Sequence, residues 1–599
     1  QTETFVMNPK AITMGELYGE YNLLSQEWTD GLASGILRNN IRLSNTTDIL
    51  RWTVFDGPID AVWIENMNTV LDDNCMLCLA NGERIKLNWT MRMLFEVENL
   101  DEASPATVSR LGVIYVPPKA VGWKPLVQSW IDKMFPNDVV DSEGEPLFAS
   151  VREQLNLRFN TLVQECLDFR RKQCSEPVVT SDFNGVHSLL SIMESIIKWD
   201  GGERMGGKNG GIDWSKKPTV ARKEMIDKIF SFSLLWSVGG SVCSNDREKF
   251  EVFLGDLYEQ NQCEELSLGS GRDSFYDVFF NSVGKQKGTF QKWIDILQTF
   301  SYDANMPYFD LVVPTIDTTR YSYFAETLIR NKQGVFFTGT TGTGKTAILS
   351  NVLGQMSKTS EDDDENHFSS AYMTINFSAQ TSSLITQTTI ENGLERKKKS
   401  LLGPPRVNKI MTIFVDDVNM PEVEEYGAQA PIELLRQLID TNGMYEREEW
   451  MWRDIADTIV CTAAAPPGGG RSVVTARFVR HFNVFCVPDS SEVTMNKIFS
   501  SIIDNFMEAF DFPFEVKSLS SGLVSATVEL YSKICAELLP TPAKIHYQFN
   551  LRDVSKVFQG ILMIKSRQCK ESVTMGHLWL HEASRVFGDR LVDETDNPW

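Results

Sequence analysis

The residues of this chain with the clearest chemical potential are Gly339, Gly344, Lys345 and Thr346, which follow the spacing GxxxxGK[ST]. Glycines let successive backbone N–H groups converge on a phosphate, the lysine reaches the β- and γ-phosphates, and the hydroxyl holds Mg²⁺. The apolar run 334–337 precedes the motif and a helix-compatible run follows it, as such a site requires. We therefore predict that ATP or ADP binds here with Mg²⁺. The predicted contacts are Gly339, Thr340, Thr341, Gly342, Thr343, Gly344, Lys345 and Thr346.

Asp416 is the second predicted ligand of the metal, because it ends the apolar run 412–415, where P-loop enzymes place a carboxylate. Asp417 follows it and is the candidate catalytic residue, in the position where hydrolytic members carry a glutamate that polarises the attacking water. Aspartate is one methylene shorter, so its carboxylate lies roughly 1 Å further from the water, and such a displacement costs on the order of a hundredfold in rate. We expect slow hydrolysis.

Two weaker motifs carry no predicted chemistry. The stretch 201–211 repeats part of the phosphate-loop spacing, but Asn209 stands where the hydroxyl is needed and a charged, helical segment precedes it, so we interpret it as a flexible loop. Cys75 and Cys78 form one CxxC pair, but no second cysteine or histidine pair lies nearby in the sequence to complete a set of four zinc ligands. We predict no metal site there.

Composition limits the classes of function that the chain can have. The 599 residues suggest about four compact domains. The 58 Lys and Arg against 80 Asp and Glu give a net charge of −22, which argues against binding to nucleic acid or to an anionic membrane. Ten irregularly spaced cysteines indicate a reducing compartment. The chain begins with Gln1 inside a predicted strand, so we expect it to be part of a longer polypeptide.

The apolar pattern alternates along the chain between strand-like and helical texture. Short apolar runs separated by turn residues predict buried strands in the first and third quarters of the chain, whereas three- and four-residue apolar spacing predicts helices in the second and fourth. The order is therefore α/β, helical, α/β, helical, a two-fold repeat of one composite unit. The predicted strands include 4–7, 52–55, 113–116, 335–337, 412–415, 458–461 and 482–485.

Several long motifs resemble the AAA+ modules of dynein heavy chains. Those in the C-terminal half resemble the third module of the ring, and those near the N-terminus resemble the second. The forms VDDVNMP and PPGGGR are more similar to axonemal than to cytoplasmic dyneins, although a cytoplasmic or intraflagellar type stays open as an alternative. The motifs resembling the third module are 416–421, 431–437, 465–471 and 477–482, and those resembling the second are 7–15, 55–68 and 103–110.

This resemblance implies an α/β fold of two consecutive AAA+ modules, each a P-loop α/β large subdomain with a helical lid. The partial second module would span 1–118, its lid and linker 119–304, the third large subdomain 305–490 and its lid 491–599. The implied protein is an ATP-driven, minus-end-directed microtubule motor of the cytoplasm and cytoskeleton, in the axoneme of cilia or flagella. A remodelling ATPase of the midasin type fits the motifs poorly.

The resemblance also implies the partners of this segment. They are the first and fourth modules of the same chain, the linker of the motor and other dynein chains. The microtubule would be contacted only through a stalk outside this chain, and no nucleic acid or membrane is expected. The third module would regulate the motor with weak or absent hydrolysis, or serve as a static scaffold stabilised by its nucleotide.

Further site residues follow only from the family pattern. Pro314 and Thr315 match the segment beside adenine, and Arg552 matches the lid arginine that reports the γ-phosphate, with a surface ion pair as its alternative. Ala465 stands where related modules carry a water-orienting asparagine, which again weakens hydrolysis. Asp56 matches the metal-side carboxylate of the second module, whose nucleotide would be held but not hydrolysed because glycine follows it.

Two arginines match positions that complete a neighbouring module's site. Arg110, at the start of a predicted strand 111–116, would serve the first module, and Arg480 would serve the second module, with Arg477 as a nearby competitor. An ordinary salt bridge between modules is the alternative role of each arginine.

Overall fold

The computed structural model describes most of the chain. It leaves out the residues 23, 46, 141–145, 199–211, 213, 215–216, 264–273, 282–287, 305, 309–310, 359–368, 406–408, 593–595 and 597–599. The glycine-rich stretch 201–211, interpreted above as a flexible loop, therefore lies outside the described residues.

A five-stranded parallel sheet forms the centre of the C-terminal half. Its strand order is β11-β14-β17-β10-β18, so the strand that leads into the phosphate loop lies between two others. Four of the strands, β10, β14, β17 and β18, are almost fully buried, as continuous apolar runs predict for parallel strands covered on both faces. On the edge strand β11, buried or partly buried residues alternate with exposed ones. The strands are β10 (Gly334–Thr338), β11 (Ser369–Asn376), β14 (Lys409–Asp416), β17 (Thr458–Ala464) and β18 (Phe482–Cys486).

Helices and a second sheet surround these strands. A four-stranded sheet in the order β12-β13-β16-β15 lies in the same half, and its short strands have no counterpart in the sequence prediction. Its members are β12 (Glu395–Lys398), β13 (Leu401–Gly403), β15 (Gly443–Tyr445) and β16 (Trp452–Ile455). The helices are α13 (Ile316–Arg330), α14 (Lys345–Lys358), α15 (Ser383–Asn392), α16 (Ala430–Thr441) and α17 (Ala476–Val479).

The N-terminal residues form a smaller sheet of three parallel strands in the order β1-β4-β7. Two hairpins and six helices complete this part. The strands are β1 (Thr2–Met7), β2 (Gly19–Tyr21), β3 (Trp28–Asp30), β4 (Leu50–Asp56), β5 (Met76–Cys78), β6 (Arg84–Lys86) and β7 (Met91–Glu96). The helices are α1 (Met14–Tyr18), α2 (Leu32–Ser44), α3 (Ala61–Glu65), α4 (Asn68–Leu71), α5 (Pro105–Val108) and α6 (Pro118–Val121).

The predicted strand 113–116 is wrong. These residues form no strand, and Ile114 is 87% exposed. In the five-stranded sheet, the last strand β18 pairs with β10, the strand before the phosphate loop. The described residues of the three-stranded sheet include no strand equivalent to β10, so the apolar run has no neighbour on which to form its ladder of hydrogen bonds.

The helical block after the three-stranded sheet packs mainly against the five-stranded sheet. Its buried side chains share one core with α13, β10 and α14. The ring of Trp236, for example, lies 4.7 Å from that of Phe324. The block contains α7 (Lys124–Met134), α8 (Ala149–Arg158), α9 (Gln164–Gln173), α10 (Asp182–Lys198), α11 (Thr219–Val238), α12 (Ser244–Gln260) and the hairpin β8 (Val278–Asn281) and β9 (Thr289–Lys292).

The last helical block has a separate core, which Val313 joins from the segment before α13. Its helices are α18 (Glu492–Ala509), α19 (Phe514–Lys517), α20 (Ser520–Glu537), α21 (Leu551–Ile561) and α22 (Ser572–Val586). Among the described residues, no helix combines the length and apolarity needed to cross a bilayer. The predicted α/β class with helical segments between the sheets is confirmed.

The two parallel sheets are joined through a buried arginine. The guanidinium of Arg436 on α16 is fully buried and donates to Asp56 Oδ2 at the end of β4 (2.8 Å), to Glu433 (3.0 Å) and to Asp440 (3.2 Å). Asn8 adds a hydrogen bond to the Glu433 carboxylate (2.7 Å). Because a buried charge needs partners, these residues hold the two sheets in one arrangement.

Arg436→Ala is expected to reduce the free energy of unfolding by about 3 kcal/mol or more, since it leaves buried carboxylates without their cation. Arg480→Ala is the matched control, because Arg480 also pairs with Asp440 but is much more exposed, and its loss should cost less than about 1 kcal/mol. Urea unfolding followed by tryptophan fluorescence measures both. Equal free energies of unfolding for the two variants would contradict the larger contribution expected of the buried arginine.

Candidate nucleotide-binding site

The phosphate loop lies between the end of β10 at Thr338 and the start of α14 at Lys345. Gly339 has a φ of 142°, and a Cβ atom there would lie 2.4 Å from the carbonyl oxygen of Val487, which follows β18. Glycine is therefore required at this position both by the backbone angle and by the neighbouring strand. The predicted strand–loop–helix context is present.

Lys345 is 92% buried and folds back onto its own loop. Its Nζ donates to the carbonyl oxygens of Gly339 (2.9 Å) and Thr340 (2.6 Å), and to Thr343 Oγ1 (3.2 Å). Burial lowers the pKa of Lys345 to about 8, and the nearby carboxylates of Asp417 and Asp416 oppose this shift only in part. The ammonium is thus held in a partly desolvated loop, where an anion would stabilise its charge.

Thr346 and Asp416 meet as the sequence predicts. Thr346 Oγ1 donates to Asp416 Oδ2 (2.8 Å), which joins the first turn of α14 to the end of β14. Burial raises the pKa of Asp416, partly offset by this hydrogen bond. A hydroxyl and a carboxylate are oxygen ligands of the kind that Mg²⁺ prefers, so the pair fits the metal. Its role as a metal site stays a prediction.

Asp417 has a left-handed backbone, with a φ of 51°, and its side chain is 44% exposed. Its Oδ1 lies 3.7 Å from Nη2 of Arg471, a residue that the sequence analysis did not assign to the site. Arg471 ends the motif Pro-Gly-Gly-Gly-Arg, and its position directly after three glycines was the available signal in the sequence. Asp417 therefore faces a cation as well as the phosphate loop.

Asn419 fills the space beside Ala465, where the family pattern has a polar residue. It is fully buried, and its Nδ2 donates to the carbonyl oxygen of Ala465 (2.9 Å) and to that of Ser472 (3.3 Å). Its Oδ1 has no hydrogen-bond partner among the described residues. The amide thus braces the two segments that follow β14 and β17.

The last helical block contacts the loop directly. A Cβ atom on Gly342 would lie 3.4 Å from both Asn550 Cβ and the backbone nitrogen of Leu551, at the start of α21. Arg552 is the second residue of that helix, is exposed, and forms no ion pair with a described residue, which disfavours its structural alternative. Its role as reporter of the γ-phosphate stays a prediction.

Asp489 and Thr315 make contacts that bear on the predicted site. Thr340 Oγ1 donates to Asp489, a residue just after β18 that the sequence analysis missed. Thr315, predicted beside adenine with Pro314, caps α13 by accepting a hydrogen bond from the backbone N–H of Thr318 (3.1 Å). Pro314 lies between this cap and the core of the last helical block, and the contact of both residues with adenine stays a prediction.

Asp56 accepts hydrogen bonds from two arginines of the C-terminal half. Arg436 donates to its Oδ2, and Arg477 donates to its Oδ1 as well as to the carbonyl oxygen of Glu96 (3.2 Å). Arg480, which the sequence favoured for this position, instead donates to Asp440 (2.9 Å). The structure therefore brings the competitor Arg477 to Asp56, while Arg480 pairs with Asp440 on α16.

Arg110 does not start a strand. Its guanidinium is bonded to Asp72 and to the carbonyl oxygen of Ala106 (2.7 Å), at the end of the short helix α5. The expected placement at the beginning of a strand 111–116 is wrong for the reason given for that run. Its action on a neighbouring module stays a prediction.

The parallel sheet in the order β11-β14-β17-β10-β18, the phosphate loop after β10 and the helical block against that loop together define a P-loop AAA+ protein. Three family models match the chain: "P-loop containing dynein motor region" over residues 300–490, "Dynein heavy chain AAA lid domain" over 155–295 and "AAA+ lid domain" over 523–598.

Curated relatives extend these matches to nearly the whole chain. It is 42% identical over 596 residues to dynein axonemal heavy chain 6 of Homo sapiens, 38% identical over 618 residues to dynein axonemal heavy chain 1 of Homo sapiens, and 36% identical over 594 residues to dynein axonemal heavy chain 2 of Mus musculus. Each match covers 99% of this chain but only 13%, 14% and 12% of the relative. The chain belongs to the dynein heavy chain family and corresponds to part of its AAA+ motor region.

Gly339→Ala is expected to destabilise the chain by about 2 kcal/mol, because the new methyl group meets the carbonyl oxygen of Val487 at an unfavourable backbone angle. Gly354→Ala is the matched control. Gly354 lies within α14, where a Cβ atom meets nothing closer than 4.0 Å, so the substitution should stabilise the chain by about 0.5–1 kcal/mol. Thermal unfolding measures both, and a neutral Gly339→Ala would contradict the tight approach of β18.

Proposed function

We propose that this chain is a regulatory nucleotide-binding segment of the motor ring of an axonemal dynein heavy chain. It would comprise the latter part of the second AAA+ module and the whole third module, in an ATP-driven microtubule motor of the cilium or flagellum. The observation that supports nucleotide binding most directly is the desolvated ammonium of Lys345, held inside a complete phosphate loop beside Thr346 and Asp416.

Within this proposal, residues 339–346 bind the phosphates of ATP or ADP, and Thr346 and Asp416 hold Mg²⁺, which supplies charge neutralisation when it is bound. Lys345 exchanges the carbonyl oxygens of Gly339 and Thr340 for phosphate oxygens. This exchange loosens the loop from its own backbone and makes its conformation depend on the nucleotide.

Weak turnover follows from the groups around the attacking water. Asp417 is shorter than glutamate, and its Oδ1 lies 3.7 Å from Nη2 of Arg471, so the carboxylate faces a cation as well as the position of the water. Ala465 has no polar side chain, and the amide of Asn419 beside it is engaged with backbone carbonyls. The site would therefore bind nucleotide but hydrolyse it slowly, as a regulatory site requires.

The last helical block would transmit the state of the nucleotide. Asn550 and Leu551 lie against Gly342, so a change in the loop would change its contact with the start of α21. The side chain of Arg552 is exposed and could rotate toward a γ-phosphate. Asp56 would belong to a second site, whose nucleotide is bound but not hydrolysed. Arg477 would reach this site from the third module.

The partners of the segment are the neighbouring modules of the same heavy chain, the linker of the motor and other dynein chains, with the microtubule contacted only through the stalk. A static scaffold is the second candidate, favoured by the rigid, buried ion pairs of Arg436. The two functions differ in one respect: loss of Lys345 would alter motor speed in the first and only stability in the second.

The affinity for ADP is expected to fall at high pH. Free Lys345 loses its proton as pH rises through about 8, whereas the phosphate-bound form keeps it, so binding above pH 8 must take up a proton. The Kd measured by calorimetry with Mg²⁺ should rise about tenfold between pH 7 and pH 9. Lys345→Arg is the control, because arginine stays charged and its affinity should not vary over this range. A wild-type Kd that is flat to pH 9 would contradict the proposed contact.

The purified chain is expected to bind ATP with negligible turnover. Asp417→Glu should raise turnover, by up to about a hundredfold, since it returns the carboxylate to the water. Lys345→Ala should abolish binding and serves as the background. Brisk, Lys345-dependent hydrolysis by the wild-type chain in a phosphate-release assay would refute the regulatory assignment.

A further inference from the structure

Two cysteines from distant parts of the chain meet beside the nucleotide site. Cys243 lies immediately before α12 in the first helical block, and Cys486 is the last residue of β18. The side chains of Cys486 and Cys243 interact, and neither residue is part of a disulfide. The phosphate site described above uses neither of them.

Main-chain contacts fix the approach of the two residues. The backbone N–H of Cys486 donates to the carbonyl oxygen of Gly240 (2.7 Å), three residues before Cys243. Arg247, four residues after Cys243, donates from its buried guanidinium to the carbonyl oxygen of Cys486, and Tyr321 donates to the same oxygen (2.8 Å). The segment around Cys243 is thus attached to the backbone of Cys486 on both sides, which holds the two residues beside each other.

The surroundings divide the two thiols into a nucleophile and a partner. Cys243 is partly exposed and precedes the N-terminus of a 17-residue helix, a position that stabilises a thiolate. The hydrogen bond from Cys486 lowers the pKa of Cys243, and Ser175 adds to this, while burial and the carboxylates of Asp246 and Glu176 oppose it. The interaction with Cys243, followed by burial, raises the pKa of Cys486, which is enclosed by the sheet.

We propose that Cys243 and Cys486 form a reversible disulfide when the chain meets hydrogen peroxide. The Cys243 thiolate attacks the terminal peroxide oxygen, the O–O bond breaks, and Cys243 becomes a sulfenic acid with release of water once a proton is taken up. Cys486 then loses its proton and attacks that sulfur, the S–O bond breaks, and a second water leaves. Two thiols lose two electrons in total, and hydrogen peroxide accepts them.

The cross-link would act on the wall of the phosphate loop. The residue after Cys486 donates its backbone N–H to the carbonyl oxygen of Thr338 (2.7 Å), and Asp489 holds Thr340. A disulfide would therefore attach the first helical block covalently to the segment that lines the loop. In a reducing compartment, a disulfide of this kind is a transient, regulatory modification rather than a structural one.

The test is non-reducing peptide mapping of the full chain. The reduced chain is treated with hydrogen peroxide, the remaining thiols are blocked with N-ethylmaleimide, and linked peptides are identified by mass spectrometry. A Cys243–Cys486 peptide pair that disappears on reduction is expected. It should be lost in Cys243→Ser and Cys486→Ser and retained in Cys174→Ser, whose thiol lies near the same charges but has a pKa raised by burial to about 11.

A second measurement on the wild-type chain does not depend on any variant. Site-resolved labelling with iodoacetamide at pH 7 should modify Cys243 at least about tenfold faster than Cys174, because the thiolate is the nucleophile. Absence of the linked peptide, or a preferred link between any other pair, would overturn the proposal. So would labelling of Cys243 at the rate of Cys174.

Discussion

The buried guanidinium of Arg436 is the constraint on which the arrangement of the two sheets depends. Its side chain has no exposure to solvent, and it binds Asp56 from the N-terminal sheet together with Glu433 and Asp440 from its own helix. Removing Asp56 while the sheets stay together would leave the guanidinium without one of its carboxylate partners in a buried site, at a cost of several kcal/mol. Burial of the charge thereby specifies how the two halves of the chain meet.

This contact connects the two candidate nucleotide sites through a continuous set of residues. Asp56 also binds Arg477 on α17, and the segment before α17 is held at Ser472 by Asn419, which follows Asp416 and Asp417 at the end of β14. A shift at the phosphate loop therefore has a physical route to Asp56. These contacts supply the route. Coupling between the sites is defined by how much nucleotide at one site changes the free energy of binding at the other.

Local motifs were readable from the sequence, and contacts between distant segments were not. The phosphate loop, the pairing of Thr346 with Asp416 and most buried strands follow from glycine spacing and apolar runs, which are properties of neighbouring residues. The run 113–116 has the same apolar pattern as a strand but lacks a neighbour, and pattern alone cannot supply one.

The choice between Arg477 and Arg480 shows the same limit. Both arginines lie near the same position of the family pattern, and in the fold Arg477 reaches Asp56 whereas Arg480 pairs with Asp440 on α16. Asp489 bonds to Thr340 of the phosphate loop, Arg471 lies near Asp417, and Asn419 bonds to the carbonyl oxygen of Ala465. Their types could be noted in the sequence, but these positions could not.

The most direct measurement is an experimental structure of the chain with ATP and Mg²⁺. We expect the phosphates on residues 339–346, with Lys345 Nζ moved from the carbonyl oxygens of Gly339 and Thr340 to the β- and γ-phosphates, and the metal between Thr346 and Asp416. A nucleotide bound elsewhere, or a Lys345 that keeps its bonds to the loop while nucleotide is present, would contradict the assignment of this site.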